Sequence, residues 1–316
     1  MKILVTGASG FIGSALVQHL VRRADTSVRG AVRHARAGTH TDVFESGDIG
    51  SATDWRPALD GVDAVVHTAA RVHVMRDAAS DAESLYRQTN VEGTRALAEQ
   101  AADAGVRRFV FLSSIKVNGE RTEPGRAFTA RDEPAPTDAY SRSKWAAEQA
   151  LADIVARSQM TCVTVRPTLV YGPGVRANFM ALVRAVQKGI PLPLGSVDNR
   201  RSMVGLSNLV ELLDACLECP VDSSATFLAS DGDDLSTPQL IRKIAAALGR
   251  SPRTVPFPPS ILALAGRGLG QSDRVARLVE SLQVDIGETV SGAGWSPRHS
   301  VDDELRRLVA ATRGVT

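Results

Sequence analysis

The sequence predicts an α/β fold, a doubly wound parallel sheet followed by a smaller and less regular α/β lid. Three observations predict it. Short apolar runs alternate with amphipathic helical stretches over residues 1–167, the pattern of a parallel sheet covered by helices on both faces. A turn with glycines at three-residue spacing follows the first apolar run. Beyond residue 167 the segments shorten and Gly and Pro recur, as in Gly172-Pro-Gly174, from Gly189 to Gly195 and from Pro252 to Pro259. The expected division is 1–167 and 168–316, with part of 200–232 returning to the sheet.

Composition bounds the function. Apolar residues make up 43% of the 316, enough for a sizeable core, and the net charge of +2 argues against a nucleic-acid binder. No run of 18 apolar residues exists, so no membrane insertion is expected. Lys2 and the apolar run after it do not make a signal peptide, because the glycine turn interrupts the apolar stretch too early. A cytoplasmic protein is expected. The three cysteines offer no disulfide framework. Cys216-x-x-Cys219 lies in an apolar helical stretch, Asn208 to Glu218, with no second ligand pair, so the reading is two core residues and no metal site.

The elements follow in order. Ile3, Leu4 and Val5 suit a strand buried on both faces. Gly7 allows a tight turn, Gly10 lets a pyrophosphate approach the backbone, and Gly13 lets the next helix pack close. Ala15, Leu16, Val17, Leu20 and Val21 give that helix an apolar face, and Arg22 and Arg23 suit its negative end. Ser27 to Val32 is a second strand. Its end carries no carboxylate for a ribose 2′-hydroxyl. Arg29, Arg33, His34 and Arg36 cluster there instead, and Arg33 suits a 2′-phosphate. Asp42 to Glu45 is a third strand, followed by Asp48, which can accept a hydrogen bond from an adenine amino group.

Ala64 to His67 is a fourth strand, with His67 read as a packed structural histidine. Thr68, Ala69 and Ala70 are small enough to let a cofactor pass. A helix over Ala82 to Ala104 holds Asn90 and stops at Gly105. Arg108 to Leu112 is a fifth strand, ending in Ser113 and Ser114. A Pro- and Gly-rich loop runs from Asn118 to Thr137, and Asp138 caps a helix to about Arg157. Cys162 to Arg166 is a sixth strand, ended by Pro167. Ala225 to Ala229 is one more strand that can rejoin the sheet. Thr237 to Leu248 is a helix capped by Ser236 or Thr237, Pro258 to Gly268 is apolar but short, and Asp302 to Ala311 is a terminal helix.

Tyr140 and Lys144 share one helix face, and Ser114 ends a strand beside the same crevice. A phenol titrates near 10, and a neighbouring ammonium together with a positively charged oxidised nicotinamide is expected to lower that value. Tyr140 can then serve as acid or base on a carbinol or carbonyl oxygen, with Ser114 bonding that oxygen and Lys144 holding the nicotinamide ribose.

Thr6-Gly-Ala-Ser-Gly-Phe-Ile-Gly13, Asp48, Ser114, Tyr140-Ser-Arg-Ser-Lys144 and Arg166-Pro-Thr-Leu-Val-Tyr-Gly-Pro173 resemble the extended short-chain dehydrogenase/reductase family, the nucleotide-sugar epimerase and dehydratase group. The resemblance implies a Rossmann domain and a nucleotide-sugar lid. It implies that the dinucleotide is held by Gly7, Ser9, Gly10, Phe11, Ile12, Gly13, Arg33, Asp48, Ile49, Thr68, Ala69, Ala70, Asn90, Tyr140, Lys144 and Pro167. It also implies a UDP-sugar held by Ser114, Asn178, Arg201 and Arg274, and a homodimer. More narrowly, Ala70-Arg-Val-His-Val-Met75, Ser113-Ser-Ile-Lys-Val-Asn-Gly119 and Ser281-Leu-Gln-Val-Asp285 look like bacterial O-antigen enzymes that reduce UDP-4-keto-6-deoxy-N-acetylhexosamines at C4. Dehydratases of the group carry an Asp-Glu pair where Ile115 and Lys116 stand here, which disfavours dehydration. Epimerases often read Ala-x-Val-Tyr-Gly where this chain has Ile115-Lys-Val-Asn-Gly119. The expectation is an NADP(H)-dependent 4-reductase, with NAD(H) as the alternative cofactor. The rival is a UDP-hexose or UDP-N-acetylhexosamine 4-epimerase that holds NAD tightly.

Overall fold

The computed structural model describes residues 1–35, 42–72, 79–268 and 270–313. Arg36 of the basic cluster and the His73–Met75 part of the 70–75 motif lie outside the described residues. Seven parallel strands form the main sheet in the order β3-β2-β1-β4-β5-β6-β9. They are β1 (Lys2–Thr6), β2 (Ser27–Val32), β3 (Asp42–Glu45), β4 (Ala64–His67), β5 (Arg108–Leu112), β6 (Thr161–Pro167) and β9 (Ser224–Ala229), while β7 (Leu169–Tyr171) and β8 (Met203–Gly205) form a separate parallel pair.

The strand order reverses between β1 and β4. In such sheets the crevice for a ligand opens at the carboxyl ends on either side of that switch. Thr6, Val32, His67, Leu112 and Pro167 end the strands that bound it.

Side chains alternate between two cores, as period-two geometry requires. Ile3, Val5, Val66, Val110 and Leu112 face one core together with Leu16 and Leu20 of α1 (Phe11–Leu20). Leu4, Val65, Phe109 and Phe111 face the other. There they meet Ala58 and Leu59 of α2 (Arg56–Leu59), Leu97 of α4 (Gly93–Asp103) and Leu151 of α5 (Ala139–Val155). The continuous helix expected over Ala82 to Ala104 is interrupted. It divides into α3 (Ala79–Tyr86), a π-helical turn over Arg87–Glu92, and α4. Gly93 follows the wide turn at a point where a Cβ would lie 2.5 Å from the Ile49 side chain, so the helix packs against the sheet only with glycine there. Single π turns of this kind are frequent at functional sites, and this one carries Asn90.

The returning strand forms as expected, with β9 beside β6. α7 (Leu206–Ala215) starts two residues before the apolar stretch read from the sequence. Its Leu209, Leu212 and Leu213 pack into the α1 face of the sheet, and ion pairs His19–Asp214 (2.8 Å) and Arg23–Glu218 (2.5 Å) tie the two helices. Cys216 and Cys219 lie in that same core, as two small buried residues.

The remaining core joins Tyr171, Phe179 of α6 (Ala177–Gln187), Ile241 and Ile244 of α8 (Thr237–Leu248), and Leu305 of α12 (Val301–Arg313). Ser236 is the cap of α8, in a reciprocal box with Gln239. α9 (Pro259–Gly268), α10 (Ser272–Val279) and α11 (Gly287–Ala293) complete the chain. No helix among the described residues is long and apolar enough to cross a membrane.

The 281–285 segment connects two regions. Leu282 bridges Arg201, and Val284 bridges Phe128 in the long 118–137 loop. The Thr122 amide adds a bond to the Ser281 carbonyl at 2.9 Å.

Candidate active site

The glycine turn is built as its spacing predicts. Gly7 sits at φ +68°, and a Cβ there would meet the Ala69 backbone at 2.9 Å. A Cβ on Gly13 would lie 2.2 Å from the Gly7 carbonyl oxygen. These two glycines let β1, α1 and the Thr68–Ala69 backbone close on one another. Ser9 and Gly10 remain exposed at the mouth, and Gly10 begins α1 with no side chain capping its first-turn N–H groups. Phe11 and Ile12 are half-buried in that turn. An open helix start behind a glycine turn fits the pyrophosphate of a dinucleotide.

Around the end of β2 the structure modifies the expected basic cluster. Arg29 is tied to Asp42 at 2.6 Å and to the carbonyls of Pro57 and Ala58 at 3.0 Å, away from the crevice. Arg33 is 69% exposed and pairs with Asp48 at 2.9 Å, and His34 pairs with Glu45 at 3.3 Å. Two carboxylates from the β3 end thus meet the two bases. Ile49 is half-buried against Gly93.

His67 is structural. The Thr94 hydroxyl donates to the Asn90 carbonyl at 2.7 Å, so it accepts from His67 Nε2–H at 3.0 Å. Nδ1 is then the unprotonated nitrogen, and accepts from the Thr6 hydroxyl at 2.6 Å. Burial, reinforced by the Lys144 charge, pushes His67 down to about 3. Thr68 donates to the Thr6 carbonyl at 2.6 Å, which fixes the small residues Thr68, Ala69 and Ala70 against β1. Asn90 is buried and its side chain is committed to protein partners. Oδ1 accepts from the Arg71 amide at 2.8 Å, and Nδ2 donates to the Arg71 carbonyl at 3.1 Å and to Ser143 Oγ at 2.9 Å. Ser143 passes the chain on to the Tyr140 carbonyl at 2.7 Å.

Tyr140, Lys144 and Glu148 stack along one face of α5. Asp138 caps that helix in a reciprocal box with Ser141. Of the Ser113–Ser114 pair only Ser114 faces Tyr140. Ser113 is buried and bonded to Glu148. The Lys144 ammonium is buried 4.1 Å above the Phe111 ring, and burial pushes it down to about 7 while Glu148 works to keep it charged. The expectation that an ammonium neighbour would lower the Tyr140 phenol is not met. Burial raises it, Asp138 and Tyr86 add to the rise, and only the Ser114 hydrogen bond acts downward. The physical reason is that Lys144 is itself desolvated, while Asp138 places a carboxylate two residues away.

Behind this face lies a buried ion pair. Arg166 donates to Glu148 at 3.0 and 2.5 Å and to Asn118 Oδ1 at 2.9 Å. Pro167 is buried at the end of β6. In the lid, Asn178 is exposed in the first turn of α6. Arg201 is half-buried and donates to the Glu280 carbonyl at 3.0 Å. Burial and the nearby Arg277 charge push its guanidinium below the usual value. The Arg277 charge thus lies near Arg201, and Arg274 donates to Gln271 at 2.8 Å. Glu148 was recoverable from the sequence as the next turn after Lys144. Among the described residues no cluster is suited to a metal ion.

The sequence model of the NAD dependent epimerase/dehydratase family matches residues 3–227. The chain belongs to that family. Over 311 residues it is 45% identical to the UDP-glucose 4-epimerase of Vibrio cholerae, covering 98% of this chain and 95% of that protein. It is 28% identical over 271 residues to the N-acetyl-α-D-glucosaminyl-diphospho-ditrans,octacis-undecaprenol 4-epimerase of Escherichia coli O157:H7, covering 84% of this chain and 78% of that one. The structure of MoeE5 in complex with UDP-glucuronic acid and NAD superposes with a TM-score of 0.80 at 26% identity, covering 100% of both chains. This member of the epimerase/dehydratase family is thus an NAD(P)-dependent enzyme on a Rossmann-type fold. The expected preference for NADP finds no support. The family is described by its dependence on NAD, MoeE5 is complexed with NAD, and Arg33 is already paired with Asp48.

Proposed function

We propose that the protein is a 4-epimerase of UDP-hexoses or UDP-N-acetylhexosamines, with NAD held in the glycine turn. The observation that carries this reading is the near full-length 45% identity to a UDP-glucose 4-epimerase, against a site whose Ser114, Tyr140 and Lys144 suit proton transfer at a carbinol. It replaces the 4-reductase as the leading reading, because none of the relatives described above is a ketosugar reductase.

The glycine turn, Thr68, Ala69 and Ala70 would hold the dinucleotide. When bound, its nicotinamide supplies a reversible acceptor for the C4 hydride. The proton is handled by this chain. Tyr140 takes it from the C4 hydroxyl and later returns it to the C4 oxygen, so the residue ends each turnover as it began. Ser114 bonds the same oxygen and stabilises the charge that develops on it. Lys144 contributes a buried positive charge one turn away. Inversion at C4 requires hydride to return to the opposite sugar face. The diphosphate must therefore be gripped while the sugar turns, and Arg201 and Arg277, with Asn178, are the lid residues we assign to that grip. Asn90 and Ser143 act on Tyr140 through its carbonyl. A homodimer belongs to the same reading, and the mass in solution checks it.

The test is to incubate purified protein with NAD and either UDP-glucose or UDP-N-acetylglucosamine. Accumulation of the C4 epimer to equilibrium with no net change in reduced cofactor supports the reading. Failure to interconvert either pair overturns it.

A further inference from the structure

Lys116 stands where dehydratases of the group carry an acid, and the activity as described so far gives it no task. Its position is specific. Its backbone N–H donates to Ser114 Oγ at 3.3 Å. Its ammonium, 22% exposed, donates to Asp138 Oδ2 and to Glu120 Oε1, each at 2.6 Å. Asp138 in turn caps the helix that carries Tyr140, its Oδ1 accepting from the Ser141 amide at 2.7 Å. One residue thus bonds the turn that presents Ser114 and the cap that presents Tyr140.

We propose that Lys116 is a positioning residue for the Ser114–Tyr140 pair. Its ammonium ties the Ser114 turn to the first turn of α5, and it offsets the negative charge that Asp138 places beside the Tyr140 phenol. The proposal rests on the 4-epimerase reading only for its kinetic readout. Tyr140 is faced by Asp138 and Lys144 on its own helix, by Tyr86 of α3 at 6.0 Å between rings, and by Ser114 from the β5 turn. Glu83 of α3 is paired with Arg142 at 3.4 Å. Asp138 is the carboxylate that acts on the phenol. Burial works to raise Asp138, but hydrogen bonds from Lys116 and Ser141 outweigh it and hold it at about 2, ionised throughout the working range. Lys116 therefore holds, at 2.6 Å, the carboxylate that raises the phenol.

The experiment compares Lys116→Met, Lys116→Arg and Asp138→Asn in the NAD-loaded protein. Asn caps a helix about as well as Asp, so Asp138→Asn removes the charge and keeps the cap. Titration of the Tyr140 phenolate by ultraviolet difference absorbance, with Tyr140→Phe as the blank, needs no sugar. Lys116→Met is expected to move that titration to higher pH and Asp138→Asn to move it lower, each by on the order of half a unit or more. Lys116→Arg should sit near wild type. In turnover, Lys116→Met should lose about 10-fold in kcat with KM for the UDP-sugar little changed, and Lys116→Arg should recover most of it. Shifts of the same sign in both charge variants, or no shift, overturn the proposal. If Lys116→Met does not fold, the Asp138→Asn shift still decides, since no downward shift means Asp138 does not act on the phenol. Absence of epimerisation in wild type would defeat the functional reading and leave the phenolate titration to judge Lys116.

Discussion

Tyr140 concentrates the chemistry of the site, and its surroundings keep it a phenol in the free protein. Its role has a clean test. Tyr140→Phe keeps the ring and its edge contact with Tyr86 but removes the transferable proton. General acid–base catalysis contributes about 10²–10⁴-fold, so kcat should fall by that range while NAD still binds. Near-normal turnover in purified Tyr140→Phe removes it from the mechanism. His67 supports a second residue-level prediction. Its folded value of about 3 lies below its unfolded value near 6.5. The unfolded chain then binds more protons between those values, so this contribution is complete above pH 6.5 and is lost as pH falls towards 3. Between pH 6 and 4 the loss should approach about 1.4 kcal/mol per unit. Denaturant titrations of wild type and His67→Asn across that span should give curves that converge as pH falls. Parallel curves would mean that His67 is not buried neutral.

At the scale of elements, legibility followed the reach of the pattern. β1, β2, β4 and β5 and the 7–13 turn were readable because apolar runs and glycine spacing are local. The cap of α5 was readable for the same reason, since Asp138 acts on a residue three along. The break between α3 and α4 was not readable, because the close packing of Gly93 against Ile49 comes from a distant part of the chain. The role of Lys116 was equally hidden. Its position looked like a missing acid, and only the fold shows Asp138, 22 residues away, receiving it. Arg33 looked free for a phosphate until β3 brought Asp48 beside it. The Glu148–Arg166 pair joins α5 to β6 and gives an element-level prediction. Both side chains are at most 6% exposed, and Arg166 otherwise donates to Asn118 and lies 5.8 Å from the centre of the Trp145 ring. Glu148→Gln leaves a buried guanidinium without its carboxylate, so unfolding free energy should drop by about 3–5 kcal/mol. Lys144 should also lose charge more readily, because Glu148 is the group that favours its ammonium. A stability within about 1 kcal/mol of wild type would show that the pair is not energetically coupled in this way.

At the scale of the whole molecule, the question is what the crevice does with reduced cofactor. The 281–285 segment binds both the 118–137 loop and the strand-like stretch at Arg201. The 118–137 loop and the stretch at Arg201 are therefore physically linked through this segment. A 4-reductase and a 4-epimerase would use the same Ser114, Tyr140 and Lys144, so deleting those residues cannot separate them. Cofactor balance can. An epimerase returns every hydride to the sugar it came from, so many sugars invert without net change in nicotinamide absorbance. A reductase consumes one reduced cofactor for each ketosugar converted. The prediction is that UDP-glucose and UDP-galactose, or their N-acetylated counterparts, interconvert on NAD-loaded protein at constant absorbance. A UDP-linked 4-ketosugar supplied with NADPH should be turned over poorly, because Arg33 is engaged by Asp48. Asp48→Asn would release Arg33 and should favour NADPH over NADH by up to about 10-fold, the lower end of a charge-assisted hydrogen bond. Stoichiometric NADPH loss on the ketosugar with wild-type protein, and constant epimer ratios with NAD, would instead assign the crevice to reduction.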